Sequence, residues 1–471
     1  MNVTAWKGMF GSETLRAGSA AGMMIVTRVL GAFGTLAYTV MLARMLSPDE
    51  FGLFWTLLSG AFIAAYLSTL NVGATAIREV VHSRTSGNDA VAAGFVLVSR
   101  RVLLCVTLPV VAIYVALIWW KNPTLAQDYI AVTLLSAALI PVMGWNATNT
   151  AQAVALDQAL RSQVPGMLLR PLVFCIVLGC ASLLGVPLSL EAAVGVYLIV
   201  AIANALLQFA LLRRFFDFMT CPAPDLSGWR RWISTGLLLA PNRLLSDRLR
   251  DVLILISSVP LGATGVGQMA VALSVVSFFN FAVNAVETNF SPKISKAISR
   301  CFLDGKCAGQ DPIVLHFLAF SGAIKLILLG VGSAMLWVCM PFVLTMFGPQ
   351  YADSATVIWW LVLIPWASAF FGNSALVMQL FDQRFVFFCS SVLALVALPL
   401  VGIYGVPLTG LSNADALDAT AAGFATTLVV LQALRWALCW RRTGCDVSAI
   451  GSLLRWKKRA IDLALQAGEK T

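Results

Sequence analysis

The chain has 471 residues, 59% of them hydrophobic and only 11% charged, against about 25% charged in soluble domains. With a mean hydropathy of +0.86, that composition excludes a soluble globular enzyme and gives a polytopic membrane protein. The net charge is +10, but its basic residues are scattered through short loops and no nucleic-acid-binding motif occurs, which argues against nucleic acid as a partner.

Residues 1–16 form a polar lead-in without the n-region, h-region and small-residue site of a cleavable signal, so the first span is expected to stay in place. Twelve apolar runs follow, at about 17–43, 51–70, 102–120, 128–150, 165–184, 191–212, 232–256, 268–290, 314–340, 354–378, 385–405 and 417–440. Most reach the ~20 residues that a helix needs to cross ~30 Å of hydrocarbon. With those spans the odd-numbered loops hold two basic residues, Arg44 and Lys121, whereas the termini and even-numbered loops hold twenty-three. Basic loops stay cytoplasmic, so both termini are expected inside. Ten cysteines with no CxxC pair, most of them in apolar runs, read as small buried residues and not as a disulfide frame.

Within span one, Arg28, Gly31, Thr35 and Tyr38 or Thr39 recur at three and four, giving one polar face expected to line an interior. Arg44, at the far end, suits snorkelling to headgroups. The loop from Asn71 to Arg101 contains Arg78, Glu79, His82, Arg84, Arg100 and Arg101 and reads as a topology determinant with an amphipathic lead into span three. Arg78 is either a headgroup anchor there or part of a cytoplasmic vestibule. Arg170 lies between Pro165 and Pro171, which loosen the helix and free backbone carbonyls; its side chain is expected to snorkel inward. Residues 213–231, rich in proline, glycine and basic residues, read as a cytoplasmic linker.

Span seven carries Pro241-Asn-Arg-Leu-Leu-Ser-Asp-Arg-Leu-Arg-Asp251. On a continuous helix Arg243, Asp247, Arg250 and Asp251 share roughly one face. Either a charge-lined cavity or a self-neutralised network between bundles follows from that pattern. Glu287 in span eight faces the same cavity or bonds Lys293. Lys325 lies ~16 Å inside span nine, too deep for easy snorkelling, and is expected in the lumen. The tail from Ile450 sets Leu453, Leu454, Ile461, Ala464 and Leu465 against Arg455-Trp-Lys-Lys-Arg459, the pattern of a helix on anionic headgroups.

The two halves repeat without a gap. Thr27-Arg-Val-Leu30 and Leu46-Ser-Pro-Asp-Glu-Phe-Gly52 return 215 residues later as Asn242-Arg-Leu-Leu245 and Leu261-Gly-Ala-Thr-Gly-Val-Gly267. A charge in hydrocarbon costs several kcal/mol unless it faces protein or water. Arg28 and Arg243, matched across the repeat and both near mid-membrane, therefore predict one cationic site at the repeat interface. Six helices per repeat preserve orientation, so a pseudo-two-fold axis is expected along the membrane normal.

Other chemistry is missing. No GxxxxGK[ST] occurs, Gly305-Lys306-Cys307 matching only its end. His82 and His316 are the only histidines, and neither lies in a metal-ligand pattern. No metal site and no cofactor is expected.

The turns Leu46-Ser-Pro-Asp-Glu-Phe-Gly52, Leu261-Gly-Ala-Thr-Gly-Val-Gly-Gln-Met-Ala270 and Phe347-Gly-Pro-Gln-Tyr-Ala-Asp-Ser-Ala355 resemble those of Wzx-type flippases. These form the polysaccharide-transporter branch of the multidrug/oligosaccharidyl-lipid/polysaccharide exporter (MOP) superfamily, and the resemblance runs from about Thr14 to Arg442. Thr264-Gly265 departs from the acidic pair usual in the second turn. The resemblance implies an all-α polytopic membrane protein of twelve helices in two six-helix lobes: residues 1–212, a linker at 213–231, residues 232–442 and a cytoplasmic tail at 443–471. It also implies transport of undecaprenyl-pyrophosphate-linked oligosaccharide from the inner to the outer leaflet of the bacterial inner membrane, alongside polymerase and export machinery. The implied cationic cavity falls to Arg28 and Arg243, then Asp247, Arg250 and Lys325; Arg78 is a further substrate-binding candidate from its own place in the inside loop.

Substrate chemistry separates the alternatives. A sugar pyrophosphate carries two or more negative charges, which the planar arginine fork matches. A MATE-like multidrug antiporter of the same superfamily calls for intramembrane carboxylates in helices one or seven; helix one has none, and helix seven is net positive. A glycosyltransferase, ligase or polymerase needs a catalytic loop outside the membrane, and no outside loop exceeds roughly a dozen residues. Coupling to an H+ or Na+ gradient is left open.

Overall fold

The computed structural model describes residues 12–121, 130–220, 223–303, 309, 311–381, 383–404 and 413–468. Most of the polar lead-in, the loop after Lys121, Gly305-Lys306-Cys307 and most of loop 406–416 lie outside the described residues, as do the tail side chains beyond Lys458. The long helices are α1 (Ser12–Met45), α2 (Pro48–Ser68), α3 (Asp89–Lys121), α4 (Ile130–Ala155), α5 (Ala159–Leu183) and α6 (Leu190–Leu212). They continue as α7 (Trp229–Asp247), α8 (Leu249–Ser257), α9 (Ala263–Leu303), α10 (Pro312–Phe347) and α11 (Ser354–Phe371). The series ends with α12 (Ser374–Leu380), α13 (Arg384–Tyr404), α14 (Asn413–Thr443) and α15 (Ala449–Gly468). The protein is all-α and polytopic.

Among the described residues eleven helices are long and apolar enough to cross a membrane. The expected seventh span is built differently, as α7 and α8 in two pieces. The break falls at Arg248, where the backbone leaves helical geometry (φ −127°, ψ 16°). The cluster of charges there leaves too little apolar character for one uninterrupted span.

The 215-residue offset holds at two helix starts: α2 starts at Pro48 and α9 at Ala263, α5 at Ala159 and α12 at Ser374. The first turn motif is a helix start. Ser47 Oγ accepts from the Glu50 amide, Glu50 Oε2 accepts from the Ser47 amide at 3.0 Å, and Pro48 occupies the first helical position. Such a capping box satisfies two of the four amides that a helix N-terminus leaves open.

Two compact units emerge. The N-terminal unit holds the residues up to Glu50 and 57–240; the C-terminal unit holds Phe51–Thr56 and the residues from Pro241 onward. In the first, Val72, Val80, Phe95, Val96, Leu212 and Trp232 form one core. The expected linker packs into that unit, with the Asp225 amide donating to the Ala90 carbonyl at 2.9 Å. In the second, Ile294, Ile298, Val314, Leu318, Met378 and Phe387 form a core. All three turn motifs contribute there: the Phe51 ring meets Tyr351 edge-on at 5.6 Å, and Gln268 Nε2 donates to the Gln350 carbonyl. Exposed apolar residues on α10 (Ile327, Val331, Met335, Val338, Phe342) recur at three and four, a stripe suited to lipid.

Candidate functional site

Arg28 sits on α1 in the N-terminal unit, partly buried, and its Nε is buried with no hydrogen-bond partner among the described residues. One turn further, Gly31 lies so close to α5 that a Cβ would run into the Met167 carbonyl oxygen. Met167 belongs to a π-helical turn, Pro165–Leu169, the local loosening expected from Pro165 and Pro171. π-turns are frequent at functional sites.

Beyond Arg28, the polar face of α1 does not line an open interior. Thr35 Oγ1 donates to the Gly31 carbonyl and Thr39 Oγ1 to the Thr35 carbonyl, at 2.9 and 2.7 Å. Tyr38 is buried edge-on against Phe174 of α5. The hydroxyls bond their own helix, which frees that face to pack on α5.

In the C-terminal unit the charges of span seven divide. Arg243 lies before the break, 51% exposed, paired with an equally exposed Asp247 at 3.4 Å; Asp247 Oδ1 also accepts from Ser246 Oγ. Beyond the break Asp251 is buried and pairs with Arg248 at 3.5 Å. Arg250 lies over the Trp55 ring, its guanidinium carbon 4.0 Å from the ring centroid, and donates to Ser274 Oγ at 2.9 Å. The single face expected for Arg243, Asp247, Arg250 and Asp251 assumed one continuous helix, and the turn at Arg248 removes that register.

Lys325 is a correction. It is 1% exposed, and its Nζ donates to Glu287 Oε1 and Asn373 Oδ1, each at 2.7 Å. It fills the protein interior instead of lining a lumen. Asn373 reaches it from the break between α11 and α12. Glu287 thereby has its partner, and Lys293 lies over the Phe290 ring instead.

Arg78 turns to its neighbour. Its Nε and Nη2 donate to Glu79 Oε1 at 3.0 and 2.8 Å, while Arg231 Nη2 and Trp232 Nε1 donate to Glu79 Oε2 at 2.7 and 3.0 Å. Burial alone would raise the pKa of this carboxyl. Hydrogen bonds from Arg78 and Trp232 and the charges of Arg231 and Arg78 outweigh it and hold Glu79 below its ordinary 4.5. The sequence reading missed this hub, because Arg231 and Trp232 arrive from some 150 residues away.

Arg170 does not run free to the surface. Its Nη1 lies 3.3 Å from Met143 Sδ, and its guanidinium faces the Phe62 and Tyr197 rings at 5.9 and 5.7 Å. Among the described residues no group of His, Cys, Asp and Glu is arranged to hold a metal ion.

Residues 19–247 match the family described as "Polysaccharide biosynthesis protein". A search of curated proteins finds no match. Among solved structures, an inward-facing multidrug resistance MATE family transporter of the MOP superfamily aligns with a TM-score of 0.65 at 15% identity, covering 89% of this chain and 98% of that one. An outward-facing MATE family transporter of the superfamily gives 0.62 at 13%, covering 90% and 95%. A MATE in complex with MaL6 gives 0.62 at 14%, covering 90% and 96%. At such identities the likeness is one of fold. The chain therefore shares the fold of these MATE structures, and its residues 19–247 match the polysaccharide biosynthesis protein family.

Proposed function

We propose that this protein is a flippase that moves undecaprenyl-pyrophosphate-linked oligosaccharide from the inner to the outer leaflet of a bacterial inner membrane by alternating access, with both termini cytoplasmic. The observation that carries the reading is Arg28, a permanently charged side chain in an apolar helix with a buried donor left open. A guanidinium held that way is matched by phosphate oxygens, which accept two parallel N–H bonds. Arg243, its equivalent in the repeat, and Arg250 are further cationic candidates within the C-terminal unit. The family match over residues 19–247 supports a saccharide cargo, and the fold supports a transporter, not an enzyme.

A MATE-like antiporter shares the fold, so fold alone does not choose. The choice rests on charge: the apolar part of α1 holds no carboxylate, and on α7 and α8 three arginines face two aspartates from Arg243 to Asp251. Cationic cargo calls for the opposite sign. The test is reconstitution in vesicles with a fluorescent lipid-linked oligosaccharide. Transfer between leaflets that a cationic drug neither replaces nor competes with supports the flippase; drug export without lipid transfer overturns it. A reporter fused after Lys121 is expected outside, and a cytoplasmic signal there would reverse the topology.

A further inference from the structure

The tail helix α15 presents charge and apolar surface that transport does not use, and it is anchored firmly in the C-terminal unit. Cys445 to Ser448, which lead into it from α14, are buried. Asp446 Oδ1 accepts from the Trp436 indole at 2.9 Å and from the Ser448 amide and hydroxyl at 3.1 and 2.7 Å. Ser448 Oγ in turn accepts from the Gly451 amide at 3.1 Å, the bond of an N-cap serine. Two glycines admit this segment to the neighbouring helices. A Cβ on Gly372 would run into the Val447 carbonyl oxygen, and one on Gly322 into Ala449. α15 therefore leaves the core in a fixed direction.

That direction runs back along α10. Ala449 meets Gly322, and two turns later Trp456 faces His316 at 5.4 Å, which is itself stacked on Phe320 at 5.9 Å. Arg455 also turns toward the protein: its guanidinium lies 5.4 Å from the Trp440 ring centroid, and its Nη2 is 3.7 Å from Asp446 Oδ2. Another face is left open. It reads Ile450, Leu453 and Leu454, then Lys457 and Lys458, all exposed and at the three- and four-residue spacing of one helical face. The lysines expected across the helix from Leu453 and Leu454 thus continue the same stripe.

The surroundings of that stripe belong to a bilayer edge. α14 ends with Trp440, Arg441 and Arg442 exposed, the aromatic and basic residues that gather at headgroup level, and α15 starts just beyond them. The exposed apolar stripe of α10 continues from Ile327 through Phe320 to Ile313, so lipid-facing surface borders α15. Along α15 itself the open face changes from apolar to basic as the helix follows α10 toward its first residue, Pro312. Hydrocarbon gives way to charged headgroups in that order.

We propose that the Ile450–Lys458 face of α15 docks on the adjoining leaflet, with Ile450, Leu453 and Leu454 at the acyl boundary and Lys457 and Lys458 on anionic lipid headgroups. Arg455 and Asp446 hold the helix at its angle and do not touch lipid.

The test is hydrogen exchange of the Ala449–Gly468 amides in the full chain, in nanodiscs of phosphatidylcholine alone or mixed with phosphatidylglycerol; amides of the other helices report the fold. Exchange should be slower in the anionic discs. Lys457→Gln and Lys458→Gln should each give back about fivefold of that slowing, the effect of one lysine beside an anionic surface. High salt should bring the wild type toward its rate in neutral discs. Arg455→Gln separates a structural role from a lipid contact: it should speed exchange by the same factor in both discs and keep the dependence on lipid charge. Equal wild-type exchange in the two discs overturns the proposal, as does a Lys457→Gln/Lys458→Gln double variant that responds to phosphatidylglycerol like wild type. Protection that follows the number of copies per disc and not lipid charge would assign the face to a second copy of the chain and overturn it too.

Discussion

Glu79 and Arg28 belong to the same N-terminal unit, and both bring a charge out of bulk water, yet they are treated in opposite ways. Glu79 is 7% exposed and receives four hydrogen bonds from Arg78, Arg231 and Trp232. Arg28 keeps a buried Nε with no partner among the described residues. The C-terminal unit repeats the contrast: Lys325 is enclosed by Glu287 and Asn373, while Arg250 has a ring face, one serine and an open donor. A buried charge that meets its counter-charge holds structure together. One whose donors stay open carries a cost that a ligand able to accept from them would offset.

The largest expected effect falls on the closed pairs. Glu287→Gln leaves Lys325 without its anion in the protein interior and should cost about 3 kcal/mol, seen as lower thermal stability and lower membrane abundance. Lys325→Met, which removes the charge from the buried end and leaves the half-buried Glu287, should stay within about 1 kcal/mol of wild type and keep transport per molecule. Loss of transport in a well-folded Lys325→Met protein would return Lys325 to the site and break the contrast.

Glu79→Gln comes next, at about 2 kcal/mol, because two of its partners are arginines that regain water. The sign of its pH dependence follows from its depressed folded-state pKa. The contribution is present above the unfolded-state value, near 4.5, and is lost as pH falls through the lower folded-state value. Melting of the detergent-solubilised protein should therefore fall more steeply below pH 4.5 in wild type than in Glu79→Gln. Parallel acid limbs would show that the bonds to Glu79 do not contribute to stability.

The smallest effect on stability is expected at Arg243. Its pair with Asp247 is long and half exposed, and such a pair contributes no more than about 1 kcal/mol. Arg243→Lys should melt like wild type and transport more slowly, since an ammonium keeps the charge but not the planar fork. Full transport in Arg243→Lys would show that charge alone suffices there.

The apolar runs were legible because crossing hydrocarbon needs ~20 apolar residues in a row, and eleven of them contain a helix long and apolar enough to cross. The exception was span seven: periodicity assumes a continuous helix, and nothing in the spacing of Arg243, Asp247, Arg250 and Asp251 reports the backbone turn at Arg248. The charges themselves were also legible, but not their partners. Lys325 meets Glu287 38 residues away and Asn373 48 away on a different helix, and Trp55 reaches Arg250 across most of half the chain. Tertiary packing decides such pairings. Arg78 stands out as a basic residue at the inner end of a span, while its neighbour Glu79, the true hub, gives no signal beyond being an acid in a basic loop.

The most direct measurement is leaflet transfer of lipid-linked oligosaccharide per folded molecule in vesicles reconstituted with Arg28→Ala, beside its melting temperature. An open donor that waits for phosphate predicts that transfer is lost while the melting temperature holds or rises slightly, because a partly buried unsatisfied charge has been removed. Wild-type transfer per molecule, whatever the melting temperature, would contradict the account.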